Sequence, residues 1–310
     1  MKTVFADSAV KLQFAGHETF PLRLLWLSKA YDACATEPVQ RGTFQEQDSI
    51  ARFGVGRNMA VSMRHWALAA GVIHDTVEGL EPTSFGRLLF DHEHGVDPYL
   101  EDPTSLWLVH FALAGTPEQT TTIFYAFNGL GVQTFDRELV VNALADQLSV
   151  RPSQRVSRDT LKRDTEVFVR NYLQKDDAAE DASEPLLAEL GLVQELRPSG
   201  QFGFVRGPKP TLNDAVFALA LAQWRARWSS ASPTLSVEQA TYAPGSPGRV
   251  FKLDEDSVLE RLVRIEDATD GALVWTDTAG LRQVQVVRPP KPEHLLKKAF
   301  AGRRRWREAA

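Results

Sequence analysis

The sequence predicts a mainly α-helical protein with small β-hairpin wings, an α+β fold made of tandem winged-helix-like modules. Apolar residues recur every three or four positions in several segments, as in Met59, Met63, Trp66 and Ala70. Glycines close such segments, and short alternating apolar and polar runs follow them. The order helix, turn, helix, hairpin occurs more than once, and this order is typical of a winged helix-turn-helix.

Length and composition bound the possible functions. A chain of 310 residues is long enough for two or three domains. Cys34 is the only cysteine, which excludes an internal disulfide and thiolate-based zinc or iron–sulfur sites. No apolar run is long enough to span a bilayer, and the first residues do not form a secretory signal. We therefore expect a cytoplasmic protein without a membrane partner.

Composition shifts divide the chain into three predicted domains. These are an N-terminal winged-helix DNA-binding domain at 1–118, a second winged-helix-like domain at 119–210, and a C-terminal helical and hairpin module at 211–310. The net charge of −5 gives no global sign of nucleic-acid binding. The last module ends in a basic tail, which either holds phosphates or only solubilises the chain. Its cations are Lys297, Lys298, Arg303, Arg304, Arg305 and Arg307.

The residue pattern of the first domain predicts a helix that contacts base edges of DNA. Helices are expected at 22–31, 47–53 and 57–70, and a hairpin follows with its turn at Glu78-Gly79. We expect the polar face of the third helix to contact base edges, because Arg and Asn make bidentate bonds to guanine and adenine. The alternative is a helical hairpin with a solvated polar face. The predicted contact residues are Arg57, Asn58, Ser62, Arg64 and His65.

The second domain repeats this plan. Helices are expected at 120–130, 136–148 and 158–173, with Ser157 as an N-cap, followed by a hairpin over 186–206. Phosphate contacts are predicted from the start of the third helix, at Arg155, Arg158, Lys162 and Arg163. The alternative is a surface helix with salt bridges at four-residue spacing, Lys162–Glu166 and Glu166–Arg170. An acidic loop is expected at 174–184, and the third domain carries a hairpin near 277–280.

Several enzyme classes are excluded by missing motifs. Residues 277–281 resemble a GTPase switch, but the chain has no phosphate-binding P-loop, no Gly-x-Ser-x-Gly elbow and no His-Glu-x-x-His helix. It also has no Asp-x-Lys or Glu-x-Lys tripeptide of the familiar nuclease core. Two polar groups of residues remain.

The first group is His17-Glu18, before the Pro21 helix. These side chains could act as base and metal ligand, or as general acid and orienting group. Alternatively, Glu18 or Thr19 caps the helix that follows.

The second group is an alternation of carboxylates and imidazoles at the predicted first wing. Such side chains can hold Mn²⁺, Mg²⁺ or Zn²⁺, and a divalent ion commonly assists hydrolysis of DNA. The alternative is a solvated acidic loop. The candidate metal ligands are Asp91, His92, His94 and Asp97.

Two N-terminal segments resemble a known bacterial family. Gly16-His17-Glu18-Thr19-Phe20-Pro21-Leu22-Arg23 is the first, and residues 53–59 with 63–66 are the second. Residues 160–164 and 251–256 fit the same family in the same order. The resemblance is to the SspB-type DNA-nicking subunits of the Ssp phosphorothioation defence systems.

The resemblance implies a function that composition does not. The chain would recognise duplex DNA and nick one strand, with a divalent metal (Mg or Mn), so that sulfur can replace a phosphate oxygen. Its partners would be a cysteine desulfurase, an ATPase and an adenylating sulfur-transfer enzyme. His17 and Glu18 lie in the strongest motif and are the candidate catalytic residues. Two alternatives remain: a non-enzymatic winged-helix DNA-binding protein (sequence reader or transcriptional regulator), and an adaptor that binds only proteins.

Overall fold

The computed structural model describes residues 2–45, 49–151, 153–173, 185–278 and 280–301. Within these ranges the protein is rich in α-helix and has three small antiparallel sheets, which confirms the predicted α+β class. The predicted acidic loop at 174–184 and the arginines of the basic tail lie outside the described residues.

The first block of the chain packs helices around a two-stranded hairpin. Its strands β1 and β2 turn at Gly79, whose φ of 139° lies in a region that favours glycine. An isolated bridge joins Val39 to Leu80 of the second strand. The elements are α1 (Lys2–Ala6), α2 (Trp26–Cys34), α3 (Ser49–Phe53), α4 (Arg57–Ala69), β1 (Ile73–Asp75), β2 (Leu80–Pro82), α5 (Ser84–Phe90) and α6 (Pro103–Gly115).

One sequence expectation for this block is wrong. The helix expected from residue 22 begins at Trp26, because the Leu22 amide donates to Asn171 and Arg23 pairs with Pro185 in a β-bridge. Residues 22–25 therefore follow a path set by tertiary contacts. The stretch after the hairpin is helix α5, and Thr83 caps it by accepting from the Gly86 amide.

The second block places three helices against a three-stranded sheet. The sheet order is β3-β5-β4, and Phe135 pairs with Phe202 in the register. Ser157 caps the third helix as predicted, because its side chain accepts from the Thr160 amide. The elements are α7 (Thr121–Asn128), β3 (Thr134–Phe135), α8 (Arg137–Leu148), α9 (Arg158–Tyr172), β4 (Val193–Leu196) and β5 (Gln201–Phe204).

The third block follows the same order of elements. Its sheet order is β6-β8-β7, so the strand before the short helices again pairs with the last strand of the hairpin. The elements are α10 (Asp214–Trp228), β6 (Thr234–Ser236), α11 (Val237–Tyr242), α12 (Pro247–Val250), α13 (Glu255–Val263), α14 (Ile265–Thr269), β7 (Leu273–Thr278), β8 (Leu281–Val286) and α15 (Pro292–Ala299).

A continuous buried core runs through all three blocks, from Val4 to Phe300. Its centre is aromatic: Phe127 of α7 contacts Tyr172 of α9 at 5.0 Å and Phe204 of β5 at 5.4 Å between ring centroids. The core crosses both predicted domain boundaries, which stay predictions. None of the helices in the described ranges combines the length and apolar character that a bilayer span requires.

Candidate functional site

The segment that carries His17 and Glu18 runs as a loop along helix α9. Asp164 of α9 accepts hydrogen bonds from the loop near its start, and Asn171, two turns further along, accepts from the Leu22 amide at 2.9 Å. Between them, Arg170 Nη1 donates to the Thr19 carbonyl at 3.3 Å. The indole of Trp66 on α4 donates to the Phe20 carbonyl at 3.0 Å. We call residues 13–22 the anchored loop, because side chains of the three helices α4, α7 and α9 bond its backbone.

The anchored loop has an unusual backbone. Ala15, Glu18 and Thr19 have φ values of 63°, 47° and 67°, in the left-handed region that residues with a Cβ rarely adopt. Such residues cost on the order of 1–3 kcal/mol each, and they persist where the surrounding structure determines them. Here the surrounding contacts come from α4 and α9. Helix α2 begins only at Trp26, so neither Glu18 nor Thr19 caps a helix, and the structural alternative for this motif is wrong.

His17 is buried, and both of its ring nitrogens are occupied. The Thr19 amide donates to Nδ1 at 3.2 Å, so the ring proton lies on Nε2, which donates to Asp164 Oδ1 at 3.2 Å. The ring also stacks on Trp66 with centroids 6.0 Å apart. His17 therefore fixes the anchored loop to α9 and α4, whereas Glu18, the next residue, is exposed to solvent.

Asp164 is the centre of the hydrogen bonds beneath the loop. It is 4% exposed, and its Oδ1 accepts from the Ala15 amide at 3.0 Å as well as from His17. The Thr122 hydroxyl of α7 donates to Oδ2 at 3.3 Å. Three donors from two separate segments thus stabilise one buried carboxylate.

Beside this carboxylate lies a cavity of about 10 Å³, close to the smallest volume that holds one water molecule. His65 of α4 lines it, and its Nε2 has no hydrogen-bond partner among the described residues. Burial lowers the pKa of His65 to about 3, with smaller contributions from His17 and Arg64. Gly16 is required here, because a Cβ at this position would lie 2.4 Å from His65 Nδ1.

The predicted DNA-reading face of α4 is only partly exposed. Arg57 and Asn58 are exposed at its first turn and have no partner among the described residues. Arg64 is half-buried and donates to the Arg41 carbonyl at 2.6 Å. Ser62 and His65 are buried, which corrects the expectation that they face solvent. They lie on the side of α4 that packs against the anchored loop and the core.

The predicted phosphate-binding residues at the start of α9 and just before it are exposed. Arg155, Lys162 and Arg163 have no ion-pair partner in the ranges that the structure describes. Arg158 donates to Glu138 and to Asn142, so it is engaged with α8. The neighbouring Glu166 pairs with Arg137 at 2.6 Å, and not with the lysine four residues before it. The predicted four-residue salt bridge with Lys162 is therefore not formed.

The candidate metal ligands do not converge. Asp91 accepts from the amides of Glu93 and His94, and His92 Nε2 lies 3.2 Å from Asp32. His94 lies 3.8 Å from Glu93.

Asp97 of the same group is buried and accepts from the Glu101 amide and the Ser105 hydroxyl. Within the described ranges no group of three or more His, Cys, Asp or Glu residues could hold a metal ion. This segment follows α5 and is not part of the first hairpin, whose turn lies at residues 76–79.

Sequence reasoning did not predict that Asp164, Asn171 or Trp66 takes part in the site. Asp164 and Trp66 lie within the quoted motifs, but the contacts that link them to the loop join residues far apart in sequence, up to 149 positions. One sequence feature could have indicated Asp164. This acid follows Leu161 by three residues, so it lies on the apolar side of helix α9 and not on its charged side.

Comparisons with known proteins agree with this architecture. Two solved structures, described as "Magnesium ion-bound SspB crystal structure" and "SspB crystal structure", each superpose with a TM-score of 0.80 and 24% sequence identity. Each alignment covers 96% of this chain and 88% of the other. The predicted resemblance to SspB is thus confirmed at the level of the fold. No curated protein matches the chain. A family model matches residues 14–300, and the chain belongs to that family, described as protein of unknown function (DUF4007).

Proposed function

We propose that this chain is the DNA-binding component of a DNA phosphorothioation modification system and that it nicks one strand of duplex DNA. The observation that carries the proposal is the SspB fold over 96% of the chain, with the Gly16–Arg23 motif held in a strained loop that exposes Glu18 and Thr19. Its partners would be duplex DNA and the cysteine desulfurase, ATPase and sulfur-transfer enzyme of that system.

The repeated block layout supports the DNA-binding part. In each block, the extended segment or strand before the helix pair joins the last strand of the hairpin, as in a winged helix. The helix before the hairpin would then be the reading helix, α4 in the first block and α9 in the second. Both carry exposed cations without ion-pair partners among the described residues, at Arg57 and at Lys162 and Arg163. Such cations suit phosphate contacts, because they lose no existing ion pair on binding.

The anchored loop supports the nicking part. Glu18 is exposed, and the guanidinium of Arg170 bonds the carbonyl of the next residue. In hydrolysis, water would add to phosphorus, its proton would pass to the Glu18 carboxylate, and the P–O bond to one sugar would break. The leaving oxygen would take a proton from solvent. Arg170 and Arg163, seven residues apart on α9, would face the negative charge of the phosphate.

The plasmid assay with and without a chelator decides whether nicking requires a divalent metal. One of the two SspB structures is described as magnesium-bound. In this chain, Asp91, His92, His94 and Asp97 point to separate partners and do not fit a common ion. A need for Mg²⁺ or Mn²⁺ would therefore be met by residues other than this group.

The test is conversion of supercoiled plasmid to open circle by the full chain, with Mg²⁺, with Mn²⁺ and with a chelator. Glu18→Gln is expected to abolish nicking and to leave duplex binding unchanged, because it keeps the size and backbone of the residue. Glu238→Gln, an exposed glutamate on α11, is the matched control and should nick like the wild type. Equal nicking by the wild type and Glu18→Gln would contradict the assigned role of Glu18.

The repeated layout equally supports a second candidate, a non-enzymatic DNA-binding protein that reads sequence or regulates transcription. This candidate predicts salt-sensitive binding to duplex DNA and no strand cleavage with any divalent ion. The plasmid assay and a mobility-shift assay on the same preparation separate the two functions.

A further inference from the structure

The contacts beneath the anchored loop converge on one buried carboxylate that belongs to a different block of the chain. Asp164 lies on α9, while two of its three donors, Ala15 and His17, lie in the anchored loop of the first block. The third donor is Thr122 on α7. The carboxylate is 4% exposed, so solvent does not replace a donor that is lost.

The loop amides depend on this arrangement. The Ala15 amide donates to Asp164, and the Thr19 amide donates to His17, whose other nitrogen donates to Asp164. The Phe20 amide donates to the His17 carbonyl at 2.8 Å. Glu18, with its strained φ, lies between the residues that make these bonds. The direction of its side chain therefore depends on the position of His17.

We infer that Asp164 is a positioning residue: it holds the anchored loop against α9, so that Glu18 and the α9 cations form one composite surface for DNA. This inference rests on the proposed nicking function. It deepens that function, because it assigns the site to two blocks and names Asp164, which accepts from both Ala15 and His17, as the side chain that positions the loop beside Glu18. Asp164 contacts no substrate in this account and acts through the loop.

Three variants distinguish the hydrogen bonds that Asp164 accepts from the effect of its negative charge. Asp164→Ala removes the acceptor of all three bonds. Asp164→Asn keeps an oxygen for the Ala15 amide and for His17, and its amide group can donate to Thr122, so it retains the contacts without the charge. Asp159→Asn removes the same charge from an exposed position on the same helix and is the matched control.

The first readout is hydrogen exchange of the loop in the full-length protein. Peptides covering residues 13–22 should exchange faster in Asp164→Ala, and should exchange as in the wild type in Asp164→Asn and Asp159→Asn. Unchanged exchange in Asp164→Ala would overturn the inference, because the loop would then be held by other contacts.

The second readout is the rate of plasmid nicking at varied DNA concentration. We expect Asp164→Ala to lower kcat by about tenfold or more, since small misplacements of a reacting group cost up to about a hundredfold. The apparent KM should change by less than about threefold, because the exposed cations remain. Asp164→Asn should stay within about threefold of the wild-type kcat. An Asp164→Asn variant as impaired as Asp164→Ala would overturn the positioning role in favour of the charge.

Two further outcomes are distinguishable. A wild type that binds DNA but never nicks it would overturn the proposed function, while the exchange measurement would still decide whether Asp164 holds the loop. If Asp164→Ala does not fold, Gly16→Ala replaces it, because the new Cβ would meet His65 Nδ1 at 2.4 Å and displace the loop without changing any charge. A kcat unchanged in Gly16→Ala would contradict the inference.

Discussion

Lys252 is a buried lysine without a carboxylate partner among the described residues, and its titration predicts how stability depends on pH. Its Nζ donates to the Phe127 carbonyl at 2.6 Å and lies 3.8 Å from the centroid of the Phe204 ring. Burial lowers its pKa well below the ordinary value, and the nearby Arg249 and Arg206 lower it further. The attraction to the ring favours the charged form by about 2 kcal/mol, which is less than the several kcal/mol that burying an ion costs.

The sign and size of the effect follow from proton linkage. A lysine in the unfolded chain stays protonated up to about pH 10, whereas the lowered pKa of Lys252 makes the folded protein release this proton at a lower pH. Between the two pKa values the unfolded state binds more protons, so the free energy of unfolding rises with pH. A difference of one bound proton corresponds to about 1.4 kcal/mol per pH unit, which is the upper limit of this slope. The same group therefore destabilises the folded protein as the pH falls from the unfolded pKa towards the folded pKa.

The assay is urea unfolding followed by tryptophan fluorescence at pH 7.5 and pH 9.5. Lys252→Met keeps the length of the side chain, and its unfolding free energy should rise less steeply with pH than that of the wild type, by up to about 1.4 kcal/mol per pH unit. Lys11→Met, which removes an exposed lysine, should keep the wild-type slope. Equal slopes for the wild type and Lys252→Met would show that Lys252 is charged in the folded protein and would refute the reasoning.

Three further predictions concern the site and its supports. Arg57→Ala and Arg163→Ala should each weaken duplex binding and reduce by about 1 the slope of the logarithm of the binding constant against the logarithm of salt concentration. Arg282→Ala, on the third hairpin, is the control and should change neither. Mobility-shift assays at several salt concentrations measure both quantities. Because burial lowers the pKa of His65 to about 3, stability is lost as pH falls from 6.5 towards 3, and His65→Phe should lose less in an acid titration followed by circular dichroism. Asn171→Ala leaves a buried loop amide unpaired and should lower the unfolding free energy by about 1–3 kcal/mol in urea.

The fold could be predicted from local patterns wherever helices and hairpins carry their own signals. Helix α4 follows from its apolar spacing and from Gly71, which has a φ of 68° just after the helix, and α9 follows from its Ser157 cap. The start of α2 could not be predicted, because the Leu22 amide is bonded to Asn171, far away in sequence. At residues 22–25 this tertiary contact overrides the local propensity to form a helix.

The site was only partly predictable for the same reason. The exposed positions Arg57 and Lys162 follow from helical spacing, but Ser62 and His65 were assigned to the solvent face because polar residues usually lie there. His65 is buried next to Gly16, in a contact that joins two segments about 50 residues apart. A pattern within one helix carries no information about which segment packs against it.

Photo-crosslinking to duplex DNA tests the central claim most directly. p-Benzoylphenylalanine would replace Asn58 on α4, Lys162 on α9 and, as a control, Glu260 on the acidic helix α13; all three positions are exposed. The account predicts crosslinks from positions 58 and 162 and none from position 260. Crosslinks from position 260 alone, or from none of the three in a protein that retains duplex DNA, would place the DNA surface elsewhere and contradict the account.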